Sequence, residues 1–283
     1  MTNHNFFTAL QAAAPPAAPF LSPPDGVSRT YGEINALSAR LANALVAEGA
    51  RPGDRIAVQV EKSAENVALY LAALRAGFVY TPLNTAYTPS EVEYFLGDGE
   101  PRLFVCDPAR AGSMEDAARR AGVHAVLTLD TRGGGSLLDA AQNAASLADV
   151  APRHDDDLAV ILYTSGTTGR SKGAMLTHGN LASNARALHA LWGFREGDVL
   201  LHALPIFHIH GLFVALHTAM LNGSEVLFLP KFDVAMVKDA MRRATVMMGV
   251  PTFYARLLDD PTFGGDDCAG MRLFVTGSAP LTA

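Results

Sequence analysis

The stretch Tyr163-Thr164-Ser165-Gly166-Thr167-Thr168-Gly169-Arg170-Ser171-Lys172-Gly173 concentrates hydroxyls, glycines and two cations directly after the apolar run 158–162. That mixture suits the capture of an anion. Backbone N–H groups converge where a strand empties into a glycine-rich turn, and a helix N-terminus beyond the turn adds partial positive charge. Gly166, Gly169 and Gly173 let the backbone approach a ligand without a Cβ in the way. Thr164, Ser165, Thr167 and Thr168 add hydroxyl donors, and Lys172 adds a compact charge suited to phosphate oxygens. A Gly/Ser linker has a similar composition, but a linker does not usually follow an apolar strand without a break. The spacing therefore predicts strand, phosphate turn, helix. Lys172 is followed by Gly173 rather than Ser or Thr, so a Walker loop is excluded, and no Gly-x-Gly-x-x-Gly fingerprint occurs in this turn.

Three histidines, His202, His208 and His210, crowd the segment after residue 198. Without further context each reads as structural. Cys106 and Cys268 show neither a CxxC nor a zinc-type spacing, so they read as two buried thiols in a reducing compartment.

The elements around these residues follow from periodicity. Ile34, Leu37, Leu41 and Leu45 share one helical face that stops near Gly49. Ser63 caps a second helix, and Thr88-Pro89-Ser90-Glu91 forms a capping box with Pro at the first helical position. Strands are predicted at 55–60, 78–83, 102–107, 125–130, 158–164, 199–206, 225–230, 245–250 and 272–277. Helices alternate with them, including one over 178–192 and one through 212–221. This alternation implies an α/β fold with mostly parallel βαβ sheets flanked by helices. Residues 131–157 break the rhythm and divide the chain into a first lobe, 1–157, and a second lobe, 158–283. The last strand runs out at residue 283 within a loop of the kind that carries ligand groups, which suggests a piece of a longer protein.

The bulk numbers limit the function classes. With 283 residues, 49% hydrophobic and 18% charged, the chain can bury a sizeable core. A net charge of −6 argues against a nucleic-acid surface. No Lys or Arg precedes Arg29, so neither a secretory signal nor a transit peptide is indicated, and no apolar run is long enough for a membrane span. A cytoplasmic protein is expected.

Residues 163–173 resemble the phosphate-binding motif of the adenylate-forming superfamily, which includes acyl-CoA synthetases, luciferases and peptide-synthetase adenylation domains. Three further stretches appear in that superfamily's order. Pro205, His208 and Gly211 match its Pro-x-x-His-x-x-Gly segment, 250–258 resembles the helix lining its acyl pocket, and 275–281 resembles its acyl and adenine loop. The first half adds the phrase AYTPSEVEYFL at 86–96. The wording at 229–233, 249–258 and 277–281 is most similar to malonyl-CoA synthetases.

The resemblance implies ATP, Mg²⁺ and coenzyme A, with a small carboxylate as the acid. Thr164, Ser165, Gly166, Thr167, Thr168, Gly169 and Lys172 would bind the phosphates, Thr164 also serving the metal. Gly277, Ser278, Ala279 and Pro280 would line the acyl and adenine pocket. It further implies that His208, with Thr164 and Lys172, is catalytic. Arg256, Ser278 and His208 would meet the acid, Arg256 as a bidentate partner for a second carboxylate; the alternative for Arg256 is a solvated helix arginine. Lys231 is a weaker candidate, and Arg242–Arg243 read as a solvated face. The superfamily's later acidic motif, ribose aspartate and small C-terminal domain with its lysine are not found in 1–283, so this stretch alone is expected to be inactive and to lack the C-terminal domain of its parent. A ligase for another fatty or aryl acid, a carrier-protein thiol as acceptor, and a non-catalytic nucleotide-binding remnant remain open.

Overall fold

The computed structural model describes residues 2–164 and 171–280 of the chain. The N-terminal stretch forms α1 (Phe6–Ala12), β1 (Pro19–Ser22), β2 (Arg29–Thr30) and α2 (Tyr31–Ala47). There follow β3 (Arg55–Gln59), α3 (Ala64–Ala76), β4 (Val79–Pro82), α4 (Pro89–Gly99), β5 (Leu103–Cys106), α5 (Ala111–Arg120), β6 (Ala125–Thr128) and α6 (Ser136–Gln142). Next come β7 (Leu158–Thr164), β8 (Lys172–Thr177), α7 (His178–Leu191), β9 (Val199–His202), a π-helix (His210–Leu216) and α8 (His217–Asn222). The described chain closes with β10 (Glu225–Phe228), α9 (Val234–Met241), β11 (Val246–Gly249), α10 (Pro251–Leu258) and β12 (Leu273–Thr276).

Two compact units result, each drawing on two stretches of chain: 1–9 with 33–182, and 10–32 with 183–283. The boundary expected at 157/158 is therefore displaced. β7 pairs parallel with β4 (Tyr80↔Val160), which carries 158–182 into the first unit. β1 pairs parallel with β10 (Leu21↔Val226), which carries 10–32 into the second. Strand pairing overrides sequence proximity here.

The first unit holds a sheet ordered β6-β5-β3-β4-β7-β8, parallel throughout except for the antiparallel β7–β8 pair. Its central strands are apolar at consecutive positions and buried, as strands covered on both faces must be. The predicted caps hold. Ser63 Oγ accepts from the Asn66 N–H at 3.0 Å, and Thr88 and Glu91 form the reciprocal box at the start of α4.

The second unit holds a sheet ordered β12-β11-β9-β10-β1-β2, parallel except for β1–β2. Leu201, Leu227, Val237, Met241, Met247 and Leu257 form its packed centre. A buried ion pair ties three strand starts together. Asp198, before β9, binds the Arg272 guanidinium before β12, with Arg272 Nε at 2.7 Å, and accepts from Thr245 Oγ1 at 2.9 Å before β11. Burial pushes the Asp198 pKa up, but the bonds from Arg272, the Arg195 N–H and Thr245 outweigh it and hold the carboxyl below its ordinary range.

Cys106 is buried in the first unit, its thiol pushed up to about 12 chiefly by burial. Cys268 is only half-buried, a correction to the expectation of two buried thiols, because it packs at the margin of the second core. Among the described residues no helix is long and apolar enough to cross a membrane.

Candidate functional site

The phosphate stretch is entered and left through a hairpin. β7 and β8 pair antiparallel with Tyr163 opposite Gly173 and Thr164 opposite Lys172. The helix predicted over 178–192 is present as α7 from His178; what the sequence does not announce is the strand β8 between the turn and that helix. No helix N-terminus therefore follows the turn immediately. Gly173 has a second role as well. It lies within β8, where an added Cβ would meet Ile161 Cγ2 at 2.8 Å, so the missing side chain makes room for a neighbour. Ser165, Gly166, Thr167, Thr168 and Gly169 lie outside the described residues.

Thr164 and Lys172 are exposed at the last described rung of the ladder. The flanking residues are anchored to α4. The Tyr163 hydroxyl donates to the Asp98 carboxylate at 2.7 Å, and the Tyr94 hydroxyl donates to the Ser171 carbonyl at 3.0 Å. Burial, with the Asp98 carboxylate beside it, raises the Tyr163 pKa, so the phenol stays protonated and keeps donating.

In the second unit the Pro-x-x-His-x-x-Gly segment has a steric logic. A Cβ on Gly211 would stand 2.1 Å from the Pro205 carbonyl oxygen, so only glycine lets the π-helix start against that turn. His202, fully buried, bonds the Gly211 carbonyl through Nε2 at 2.9 Å and stacks on Phe228, as its structural reading requires. The helix expected through 212–221 is present, but it opens as a π-helix before becoming α8, a geometry that recurs at functional sites.

His208 is exposed, with its ring tilted against Phe207 at 4.5 Å, and partial desolvation of the ring lowers its pKa. His210 is more deeply placed than the sequence suggests. It is 6% exposed, burial lowers its pKa, and its Nδ1 shares a 3.2 Å hydrogen bond with the Ser278 hydroxyl. Ser278 has φ +67, a left-handed conformation costing a non-glycine residue roughly 1 kcal/mol. The neutral His210 imidazole thus buttresses a strained loop, Gly277-Ser278-Ala279-Pro280, whose last three residues are exposed. Sequence reasoning read His210 as structural but could not name its partner, because 68 residues separate the pair.

Arg256 is exposed on α10 and lies over the Phe232 ring at 4.8 Å. The helix beneath it is fixed by the Tyr254 hydroxyl, which donates to the Val275 carbonyl at 2.6 Å. Lys231 is exposed beside Phe232. Arg242 and Arg243 pair at the surface with Asp239 and Glu225.

The model of the family described as AMP-binding enzyme matches residues 8–283. The chain belongs to that family. MatB from Rhodopseudomonas palustris, in a crystal structure with ATP bound, is 50% identical to this AMP-binding chain with a TM-score of 0.96, covering 99% of this chain and 56% of that one. The long-chain-fatty-acid–CoA ligase FadD13 of Mycobacterium tuberculosis is 31% identical over 93% of this chain and 52% of its own length. The feruloyl-CoA synthase of an Amycolatopsis species is 34% identical over 91% of this chain and 51% of its own. The chain thus spans about half the length of the curated relatives it matches.

Proposed function

We propose that the complete protein is an ATP-dependent, AMP-forming acid–thiol ligase that activates malonate and passes it to coenzyme A. The observation that carries this reading is the likeness to ATP-bound MatB, at half-identity over nearly the whole chain. In this reading the acid's carboxylate attacks the α-phosphorus and pyrophosphate leaves. The coenzyme A thiol then attacks the acyl carbonyl and AMP leaves. The residues around 164 and 172 hold the phosphates on which charge builds, and donors already aimed at that charge need no reorganisation. In the same reading the exposed His208 would meet acid and thiol, and Ser278 with its loop would wall the acid's pocket. The charge set suits Mg²⁺ only in part. Thr164 offers one hydroxyl oxygen, and among the described residues no cluster of three His, Cys, Asp or Glu could hold a metal. Mg²⁺ would be held chiefly by the phosphates it screens, as this ion commonly is.

Malonate is favoured by the wording at 229–233, 249–258 and 277–281 and by the exposed guanidinium of Arg256, which can pair with a second carboxylate. A second reading, a fatty or aryl acid, is favoured by the names of the relatives FadD13 and feruloyl-CoA synthase. ATP-dependent acylation of coenzyme A by the full-length protein, with malonate, methylmalonate, acetate, octanoate and ferulate in parallel, separates them. Malonate should be the best substrate, and Arg256→Ala should remove that preference while sparing acetate. A better rate with octanoate or ferulate would defeat the malonate assignment. Absence of acylation with every acid would leave a non-catalytic nucleotide-binding protein. Residues 1–283 alone should show little or no turnover under the same conditions.

A further inference from the structure

The stretch 86–96 is singled out by sequence yet contributes no residue to the proposed chemistry. Its helix, α4, is unusually well fixed. The Thr88–Glu91 box and Pro89 define its start, and Val92, Phe95 and Leu96 are buried with Ala57, Leu83, Phe104 and Met114. From this rigid base α4 reaches the hairpin at both ends. On the β7 side, Tyr163 packs on Phe95 with ring centroids 4.7 Å apart and donates to Asp98 at 2.7 Å. On the β8 side, Tyr94 donates to the Ser171 carbonyl at 3.0 Å. The two anchors flank the Thr164↔Lys172 pair, Tyr163 one residue before Thr164 on the ladder side and Ser171 one residue before Lys172 on the turn side.

We propose that α4 is a two-point clamp on this hairpin, with Tyr94 and Asp98 as positioning residues that fix where Thr164 and Lys172 present their hydroxyl and ammonium to the triphosphate of ATP. A two-stranded ladder twists and frays at its end unless it is held. One tether would still let the pair rotate, whereas two tethers on a single helix fix both strands in one frame. Pre-set donors gain their advantage from such fixing. The clamp's use in nucleotide binding rests on the ligase reading; its existence does not.

Two single-oxygen deletions test it in the full-length protein. Tyr94→Phe removes the Ser171 tether, and Tyr163→Phe removes the Asp98 tether while keeping the ring on Phe95. Each should lower kcat/KM for ATP about fivefold, the usual worth of one hydrogen bond, with KM for the acid unchanged. Each should also speed amide hydrogen exchange in peptides spanning 160–164 and 171–176, with the 56–76 region unaffected. Glu93→Gln, on the same helix but paired outward with Arg120 at 2.7 Å, is the control and should change neither readout. Unchanged exchange in both variants overturns the clamp. Faster exchange with an unmoved kcat/KM for ATP overturns its role in positioning, as does an equal loss in kcat/KM for ATP and for the acid. If the wild type forms no acyl-CoA, the ligase reading fails, and exchange alone decides the clamp.

Discussion

His178, the first residue of α7, makes acid stability a measurable property of the first unit. It is fully buried, and its Nδ1 accepts the Phe6 backbone N–H at 3.2 Å, so the neutral ring carries its proton on Nε2. A second proton would create a buried cation and set two donors head to head. Burial, then the nearby Arg153 guanidinium, push its pKa from 6.5 down to about 4, against the opposing pull of Asp157 and Asp155. The folded value lies below the unfolded one. The unfolded chain therefore binds the extra proton between these values, and stability falls as pH drops through that window. Linkage with these two values gives a loss of about 2 kcal/mol between about pH 7 and about pH 5 from this residue alone. His178→Asn keeps an acceptor for Phe6 and removes the titration; its smaller volume should cost roughly 1–2 kcal/mol, equally at both pH values. Urea unfolding followed by circular dichroism at both pH values gives the difference of differences. The wild type should lose about 2 kcal/mol more than the variant on acidification, since other titrating groups, including the buried His217, are common to both. Equal losses in the two proteins would refute the assignment.

Two further perturbations test the second unit. Gly211→Ala forces a Cβ to 2.1 Å from one backbone atom, so the π-helix must shift and cost about 3 kcal/mol. A lowered melting temperature together with loss of the His210–Ser278 coupling, read from the His210 titration by NMR, is expected, whereas a wild-type melt would contradict the packing. Asp198→Ala leaves the Arg272 guanidinium without its partner at a site where the carboxylate is 2% exposed, and should destabilise by about 3–5 kcal/mol. A loss under about 1 kcal/mol in urea unfolding would place the pair among weak surface bridges instead.

Much of this architecture is legible in the sequence because local signals agree with the tertiary outcome. Ser63, Thr88 and Pro89 act through neighbours three residues away, and the central strands are apolar runs that burial in a parallel sheet demands. The failures arise where long-range pairing decides. Pro19–Ser22 is too short and too close to prolines to announce a strand, yet Val226 and Thr30 hold it in one. Lys172–Thr177 has no clean alternation, because both faces of this edge strand are largely exposed, and only its pairing with β7 makes it β. A π-helix and an α-helix bury similar stripes, so periodicity could not separate them at 210–216. In the candidate site, the motif residues stand out in the sequence by type and spacing. Their supports, His210 under Ser278 and α4 beside the hairpin, could not, since a hydrogen bond across 65 or 68 residues leaves no trace in local pattern.

The parallel pairing of β1 with β10 also sets a timetable for the nascent chain. Phe20 and Leu21, both fully buried in the finished protein, leave the ribosome about two hundred residues before Val226 exists to receive them. At about 5–20 residues per second that is a wait of roughly 10–40 s. The first unit, whose two stretches end at residue 182, is fully synthesised during that interval. The second can pair β1 with β2 at one edge of its sheet early, but the strand on the other side of β1, β10, comes only at Glu225–Phe228. Slower translation over residues 183–226 would therefore lengthen the time for which that face of β1 stays uncovered.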